Sequence, residues 1–151
     1  MVPKIFMQEV LDYLYGLKKF GSKLRLEEME KLVSVLDHPQ KKFKSIHIAG
    51  TNGKGSTSAF LAQILQEAGY KVGLYTSPHL VNFNERIKIN GKDISGQKIV
   101  ELSEIMKRKV EENEIDTTFF EFTTAMAFQY FADEQVDFAV VEVGLGGRLD
   151  A

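Results

Sequence analysis

The sequence predicts an α/β domain, in which a mostly parallel sheet is flanked by helices. Three features support this prediction: a glycine-rich loop between a strand and a helix, a second strand directly after that helix, and a nearly continuous apolar strand close to the last residue. Strands that alternate with helices are typical of parallel sheets covered on both faces. Such sheets bind ligands at the loops beyond the carboxyl ends of their strands.

Two amphipathic helices are predicted at the start of the chain. Apolar residues recur at three- and four-residue steps over 6–17 and again over 26–36, which is the period of a helix with one buried face. Gly21 and Ser22 are expected to end the first helix, and the proline-containing segment 37–42 is expected to end the second.

A strand, the glycine loop and a helix follow in that order. Residues 44–49 are short and β-branched, and helical spacing returns over 58–68. The next strand is predicted at 71–76. The two strands and the helix between them are therefore expected to form a βαβ unit with parallel pairing.

A small β-hairpin flap and two more helices are predicted before the last strand. The string ERIKINGKDIS alternates around an Asn-Gly pair, which is the strongest short hairpin signal. Helical spacing runs over 99–110 and again over 119–131, where a capping box from Thr118 to Glu121 precedes the helix. The final strand, 137–143, is an apolar run of the kind found in strands buried on both faces.

Composition indicates one globular domain and restricts its partners. The 151 residues suffice for a single core. The 21 acidic and 19 basic side chains are mixed along the chain and leave a net charge of −2, so neither nucleic acid nor a membrane surface is an expected partner. The absence of cysteine excludes disulfides and thiolate metal sites, and the opening residues do not form a signal peptide, so we expect a cytoplasmic location.

The glycine-rich loop Gly50-Thr51-Asn52-Gly53-Lys54-Gly55-Ser56-Thr57 is a candidate phosphate site. Glycines let several amides point at one phosphate, the helix start adds a partial positive charge, and Lys54 adds a full one. The strict P-loop pattern is not met, because Ile48 stands where its first glycine is required and Gly55 separates the lysine from the hydroxyls. A plain glycine turn is the alternative, and the lysine and two hydroxyls argue against it.

Two oxygen-bearing residues are expected beside this loop. Glu142 ends the apolar final strand, and a carboxylate at the mouth of a parallel sheet beside a phosphate loop is suited to hold Mg²⁺. A solvated strand-end glutamate is the alternative. Ser77 follows the strand at 71–76, and its hydroxyl is expected to complete the metal shell.

The three histidines are not expected to bind metal. Mg²⁺ favours oxygen, so His79 is expected to have a structural or substrate-orienting role. His47 is expected to be a core residue, and His38 is expected to lie in a surface turn. The chain has no cysteine, and none of its serines stands in a G-x-S-x-G elbow. Catalysis is therefore expected to rest on holding phosphates, metal and acceptor in line, with Lys54 stabilising charge.

Three strings of the sequence stand out together: AGTNGKGST at 49–57, TSPHL with ERI at 76–87, and EVGLGGRLDA at 142–151. Together they resemble the Mur ligase superfamily, and within it the folylpolyglutamate synthases and their bifunctional relatives that also act as dihydrofolate synthases. The glycine after the lysine is a feature of this branch. The resemblance extends over essentially the whole chain and implies the fold of the Mur ligase central domain.

The resemblance implies an ATP-dependent ligase that adds L-glutamate to the γ-carboxyl of a folate through an acyl phosphate. It implies that Lys54, Ser77 and Glu142 serve catalysis, the last two as ligands of Mg²⁺. It implies that the ATP phosphates are held by Thr51, Asn52, Gly53, Lys54, Gly55, Ser56 and Thr57. It implies that the folate lies against Lys23, Leu24, Arg25, Leu26, Thr118, Phe119, Phe120, Glu121, Leu149, Asp150 and Ala151.

Members of the resembled family are much longer and carry further parts: a metal-binding histidine, a carbamylated lysine and a C-terminal domain that brings glutamate. We therefore expect residues 1–151 to be an incomplete N-terminal ATP-binding domain that binds nucleotide weakly and does not ligate alone. The full-length protein is expected to be a monomer. Three alternatives stay open: a Mur-type ligase for another acid, a P-loop NTPase or kinase, and a non-catalytic nucleotide-binding module. The extra Gly55 argues against the second.

Overall fold

The structure is a computed structural model, and it describes residues 4–17, 26–147 and 150. Helices and strands alternate along these ranges. They are α1 (Lys4–Gly16), α2 (Glu27–Val35), β1 (Lys44–Ile48), α3 (Lys54–Glu67), β2 (Val72–Tyr75), β3 (Ile87–Ile89), β4 (Lys92–Asp93), α4 (Gly96–Glu112), α5 (Phe119–Asp133) and β5 (Phe138–Glu142). Short 3-10 helices at Pro39–Lys41 and Phe83–Arg86 lie in two of the connections.

The sheet has five strands in the order β1-β5-β2-β3-β4. β5 pairs in parallel with β1 on one side and with β2 on the other, so that Val140 lies opposite both Ile46 and Leu74. The predicted direct pairing of β1 with β2 is therefore wrong: the two strands run the same way, but β5 separates them. Because β5 has a neighbouring strand on each side, its last four residues are buried, which explains the apolar run that predicted this strand.

The predicted hairpin is confirmed as β3 and β4, with a turn at Asn90 and Gly91. Both turn residues have positive φ, 47° and 74°, the conformation that an Asn-Gly turn accommodates. The hairpin does not stand clear of the domain. β3 pairs antiparallel with β2, and the side-chain oxygen of Asn90 accepts a hydrogen bond from the Val72 amide at 2.8 Å. The hairpin thus forms the antiparallel edge of the sheet.

The helices cover the two faces of the sheet unequally. The larger core cluster brings together α1, α2, α4 and α5 with β2, β3 and β5. A smaller cluster lies under α3, where Ala62 packs with Val72 and Val140. Among the described helices, α3 thus packs on one face of the sheet and the others pack on the opposite face.

β1 lies at the edge of the sheet, and this position decides the environment of its histidine. Its residues are exposed or only half-buried, and His47 is exposed. The expectation that His47 is a core residue is therefore wrong, since an edge strand receives little cover from neighbouring elements. His38 does lie in a turn, with φ of 48°.

Close approach of α5 to β2 depends on a glycine. A Cβ at Gly73 would lie only 2.7–2.9 Å from ring atoms of Phe131, well inside normal contact distance. Phe131 is fully buried. The helix can therefore pack this close to the sheet only because position 73 has no side chain.

The capping box predicted from Thr118 and Glu121 is confirmed at the start of α5. Thr118 Oγ1 accepts from the Glu121 amide at 3.3 Å, and Glu121 Oε2 accepts from the Thr118 amide at 2.7 Å. α3 begins at Lys54, earlier than its apolar spacing predicted. The expected end of the first helix at Gly21 and Ser22 lies outside the described residues. No helix in the described ranges has both the length and the apolar character to cross a membrane.

Candidate functional site

Three loops of the described chain meet at one edge of the sheet. They follow Ile48 in β1, Tyr75 in β2 and Glu142 in β5, and these three strands are parallel. Their carboxyl ends therefore point the same way, which is the edge where open α/β sheets bind ligands. Each of the three strings singled out in the sequence contributes residues to one of these loops.

The glycine-rich loop turns directly into α3. Gly53 adopts φ of 74°, the left-handed conformation that glycine enters without strain, and the helix begins at the next residue. Within the described residues no side chain caps this helix, so its first amides are open to a ligand. The ammonium of Lys54 donates to the Gly50 carbonyl at 3.0 Å, so its positive charge lies over the loop.

Glu142 lies between the glycine loop and the end of β2. Its Oε2 accepts a hydrogen bond from the Ser77 amide at 3.1 Å. Its two carboxylate oxygens lie 3.7 and 3.8 Å from the position that a Cβ would take on Gly55. The side chain is only 7% exposed. The structure thus brings together Glu142, Ser77 and the glycine loop, as the sequence predicted, while their roles stay predictions.

These residues fit Mg²⁺ by their chemistry. Mg²⁺ takes oxygen ligands, commonly one or two carboxylates completed by water and substrate phosphates. A buried carboxylate is costly unless a cation or hydrogen bonds compensate it. The Glu142 carboxylate also lies beside the space that a side chain at Gly55 would fill. The described ranges contain no group of three or more histidine, cysteine or acidic residues that could hold a metal, but this kind of magnesium site does not require one.

The predicted folate segment at the start of α5 lies beside this edge. The Phe120 ring lies 6.3 Å from that of Tyr75, and it approaches Gly144 so closely that a Cβ there would be 2.6 Å from Phe120 Cε2. Phe119 stacks on Tyr15, with ring centroids 5.5 Å apart. The start of α5 thus contacts both β2 and the loop after β5.

Asp150 closes the glycine-rich loop after β5. Its carboxylate accepts from the amides of Gly144 and Leu145 at 2.8 and 2.9 Å. This loop-closing role is compatible with the predicted folate contact and does not test it. Leu26 stands immediately before α2, where its carbonyl accepts from the Glu30 amide. The other predicted folate residues lie outside the described residues: Lys23, Leu24, Arg25, Leu149 and Ala151.

Arg86 also lies at this edge, although its sequence context predicts no role for it. Its Nε donates to His79 Nδ1 at 2.8 Å, and its guanidinium carbon lies 5.2 Å from the centroid of the Phe119 ring. Burial, and then the positive charge of Arg86, lower the pKa of His79. One sequence feature could have drawn attention to Arg86: it is a cation that directly precedes the apolar strand IKI, within the string TSPHL with ERI. His79 is thus a structural partner of Arg86, in keeping with the role expected for it.

A separate groove lies between α1 and α4. Phe6, Val10 and Tyr13 line it from one helix, and Ser103 and Lys107 line it from the other. None of the three converging loops contributes to it, so it is not part of the candidate site.

No family model matches the chain. It is 48% identical over 149 residues to the dihydrofolate synthase/folylpolyglutamate synthase of Bacillus subtilis, covering 95% of this chain and 35% of that protein. The folylpolyglutamate synthase structure from Thermotoga maritima has a TM-score of 0.89 and 47% identity, over 97% of this chain and 35% of that one. A folylpolyglutamate synthase complex with AMPPCP and folate has a TM-score of 0.89 and 36% identity, over 95% and 36%.

The chain spans about a third of the length of these relatives. The likeness covers both sequence and fold. Over almost its whole length, this chain is therefore similar to the N-terminal part of folylpolyglutamate and dihydrofolate synthases, whose structures have a Mur ligase-type fold.

Proposed function

We propose that the chain is the nucleotide-binding part of an ATP-dependent ligase that adds L-glutamate to the γ-carboxyl of folate through an acyl phosphate. The observation that carries this proposal is the meeting of Glu142, Ser77 and Gly55 at the start of an uncapped helix. Further support comes from the names of the relatives and from the AMPPCP and folate bound in one of the similar structures. Residues 1–151 form its N-terminal ATP-binding domain in this proposal.

The phosphates of ATP are held by the loop from Thr51 to Thr57. The amides at the start of α3 donate to phosphate oxygens, and the partial positive charge of the helix end favours the anion. Lys54 exchanges its hydrogen bond to the Gly50 carbonyl for one to a phosphate. Its charge then offsets part of the negative charge gathered in the loop.

Glu142 and the hydroxyl of Ser77 would hold Mg²⁺. Bound there, the ion would supply positive charge that offsets the negative charge of the phosphates and of the acid substrate. The hydrogen bond from the Ser77 amide keeps the Glu142 carboxylate in place. The absence of a side chain at Gly55 leaves room beside that carboxylate.

Activation of the acid explains why a phosphate site is needed for making an amide. A carboxylate is a poor acylating agent because its leaving group would be oxide, and phosphorylation supplies a better one. The chain's own residues position the donor and screen its charge. Binding of L-glutamate and amide formation belong to the whole protein, so we expect residues 1–151 alone to bind nucleotide weakly and not to ligate.

Dihydrofolate synthase activity is a second candidate, because the 48% identical relative is named for both activities. The two activities differ in the acid that is activated. A panel of pteroate, dihydropteroate, folate and tetrahydrofolate, each offered to the complete enzyme with ATP and L-glutamate, separates them.

The test is binding of a non-hydrolysable ATP analogue to the 151-residue chain, by calorimetry, with and without Mg²⁺. We expect saturable binding that Mg²⁺ strengthens and that Lys54→Ala weakens about tenfold or more, since charge-assisted contacts are worth more than 1.4 kcal/mol. Lys92→Ala, an exposed lysine in β4, is the matched control. Failure to bind, or equal binding by Lys54→Ala, contradicts the proposal. Steady ADP release with folate and L-glutamate would show that the chain alone does ligate.

A further inference from the structure

The positive charge of Arg86 is buried without a carboxylate partner. Arg86 is 7% exposed, and in the described part of the chain no ion pair joins it to an acidic side chain. The positions outside the described ranges contain no aspartate or glutamate. A buried charge that no described residue neutralises is costly, and a bound anion would remove that cost.

The guanidinium is held in a fixed orientation by its neighbours. Nε donates to His79 Nδ1 at 2.8 Å, and one face of the group lies over the Phe119 ring. Phe119 is itself packed edge-on against Phe83, with ring centroids 6.3 Å apart. An arginine fixed in this way loses little further conformational entropy when it binds a ligand.

The terminal amino groups of Arg86 are free of hydrogen bonds to the described residues. The buried side-chain atoms that lack a hydrogen bond within the described residues belong to His38, Gln40, Ser58 and Ser103. Arg86 is not among them, and its described hydrogen bond uses Nε. Its two terminal amino groups make no hydrogen bond to another described residue, and they form the planar fork that matches a carboxylate.

Arg86 lies between the residues proposed for the metal and those predicted for folate. Its carbonyl accepts from the amide of Thr76, the residue before Ser77, at 3.0 Å. Its charge also acts on the Tyr75 hydroxyl, whose pKa burial raises and Arg86 lowers in part. Phe119, on its other side, opens α5.

We propose that Arg86 binds a carboxylate of the folate side chain, with His79 and Phe119 holding the guanidinium in position. The proposal rests on the proposed function, because it assumes that the acid at this edge is a folate. It goes further by naming the residue that recognises the charge of that acid. The fork of Arg86 donates two parallel hydrogen bonds to the carboxylate, and the carboxylate supplies the negative charge that the protein lacks here.

The test compares two ligands that differ only in charge. Folate and its diamide, in which both side-chain carboxylates are carboxamides, are titrated into the 151-residue chain with a non-hydrolysable ATP analogue and Mg²⁺. The unaltered chain should prefer folate about tenfold or more, as expected for charge-assisted bidentate contacts. In Arg86→Gln this preference should disappear, and in Arg86→Lys it should be intermediate because the charge is kept without the fork.

Controls separate recognition from folding. Lys88→Gln removes a nearby cation that is already paired with Asp93, and it should keep the full preference for folate. Circular dichroism and urea unfolding show whether each variant folds. If Arg86→Gln does not fold, His79→Ala takes its place in the test. It leaves the guanidinium less well held and should reduce the preference for folate. A merely structural role would weaken folate and the diamide equally.

Two results overturn the proposal. One is an unaltered preference for folate in Arg86→Gln or, if that variant does not fold, in His79→Ala. The other is an unaltered chain that does not bind folate or does not distinguish it from the diamide. Nucleotide binding is measured in the same samples. If it persists, the failure concerns Arg86 alone, whereas loss of nucleotide binding in the unaltered chain would mean that the proposed function has failed.

Discussion

The carboxylate of Glu142 accepts a hydrogen bond from the backbone amide of Ser77 at 3.1 Å. This contact joins the end of the central strand β5 to the end of its neighbour β2. The same carboxylate lies beside Gly55, at the start of α3. One buried side chain therefore connects three segments that are far apart in the sequence, and it does so at the edge where the ligand is expected.

Replacing Glu142 by glutamine tests whether its charge or only its hydrogen bond matters. Glutamine keeps the size of the side chain and an acceptor for the Ser77 amide, but it cannot neutralise a cation. We expect the gain in nucleotide affinity produced by Mg²⁺ to fall about tenfold or more, with affinity in EDTA unchanged. Calorimetry with and without Mg²⁺ measures this, and Glu67→Gln on exposed surface is the control. An undiminished magnesium effect would contradict the assignment.

Gly55→Ala should separate stability from binding. The new Cβ would be in ordinary contact with the Glu142 carboxylate, at 3.7–3.8 Å, so the fold should accept it. Alanine favours helix over glycine by about 0.5–1 kcal/mol, and we expect unfolding by urea to require more denaturant. Nucleotide affinity in Mg²⁺ should nevertheless fall, because the methyl group occupies space beside the carboxylate. Unchanged affinity would mean that this space is not used.

Gly73→Ala should destabilise the fold without touching the site. Its Cβ would lie 2.7–2.9 Å from the ring of buried Phe131, and such overpacking costs about 1–3 kcal/mol. Urea unfolding measures the loss. Phe131→Leu in the same chain should recover part of it by making room, whereas Gly16→Ala, which has open space around it, should show no comparable loss. A neutral Gly73→Ala would show that α5 shifts easily on the sheet.

His79 should make stability depend on pH. Burial, and then Arg86, lower its pKa from the ordinary 6.5, and Nδ1 must be unprotonated to accept from Arg86 Nε. The pKa of His79 is lower in the folded than in the unfolded state. Its contribution to the free energy of unfolding is therefore complete above pH 6.5 and is lost as pH falls through the folded-state pKa. We expect the free energy of unfolding to fall below pH 6.5, and His79→Asn to reduce that slope. A pKa of His79 above 6.5, measured by NMR, would contradict this prediction.

Thr118→Ala should loosen the start of α5. It removes the hydroxyl that accepts from the Glu121 amide, and loss of such a cap costs about 1 kcal/mol. Amide exchange measured by NMR should be faster in the first turn of α5 and unchanged in α4, which has its own Ser95 cap. Equal protection of α5 in both proteins would mean that packing of Phe120 and Phe122 alone holds the helix start.

Local sequence patterns predicted most of the elements and the loops that carry the site. The Asn-Gly turn, the Thr118 capping box and the apolar strand ending at Glu142 are all encoded by neighbouring residues, and the structure has each of them. The same holds for the glycine loop before α3, because a short strand, glycines and a helical stripe follow one another directly. The strings at 49–57, 76–87 and 142–151 also indicated the folylpolyglutamate synthases to which the chain is similar.

Tertiary structure alone decided which strands are neighbours and which charges meet. β5 inserts between β1 and β2, which leaves β1 at the edge and His47 exposed. Arg86 meets His79 and Phe119 because the sheet edge and α5 come together there. Periodicity shows which face of a helix or strand is apolar. The pairing of distant segments depends instead on how all the apolar faces are buried together. The sequence by itself therefore determined the elements and the loop chemistry, and packing determined the order of the sheet and the buried cation at its edge.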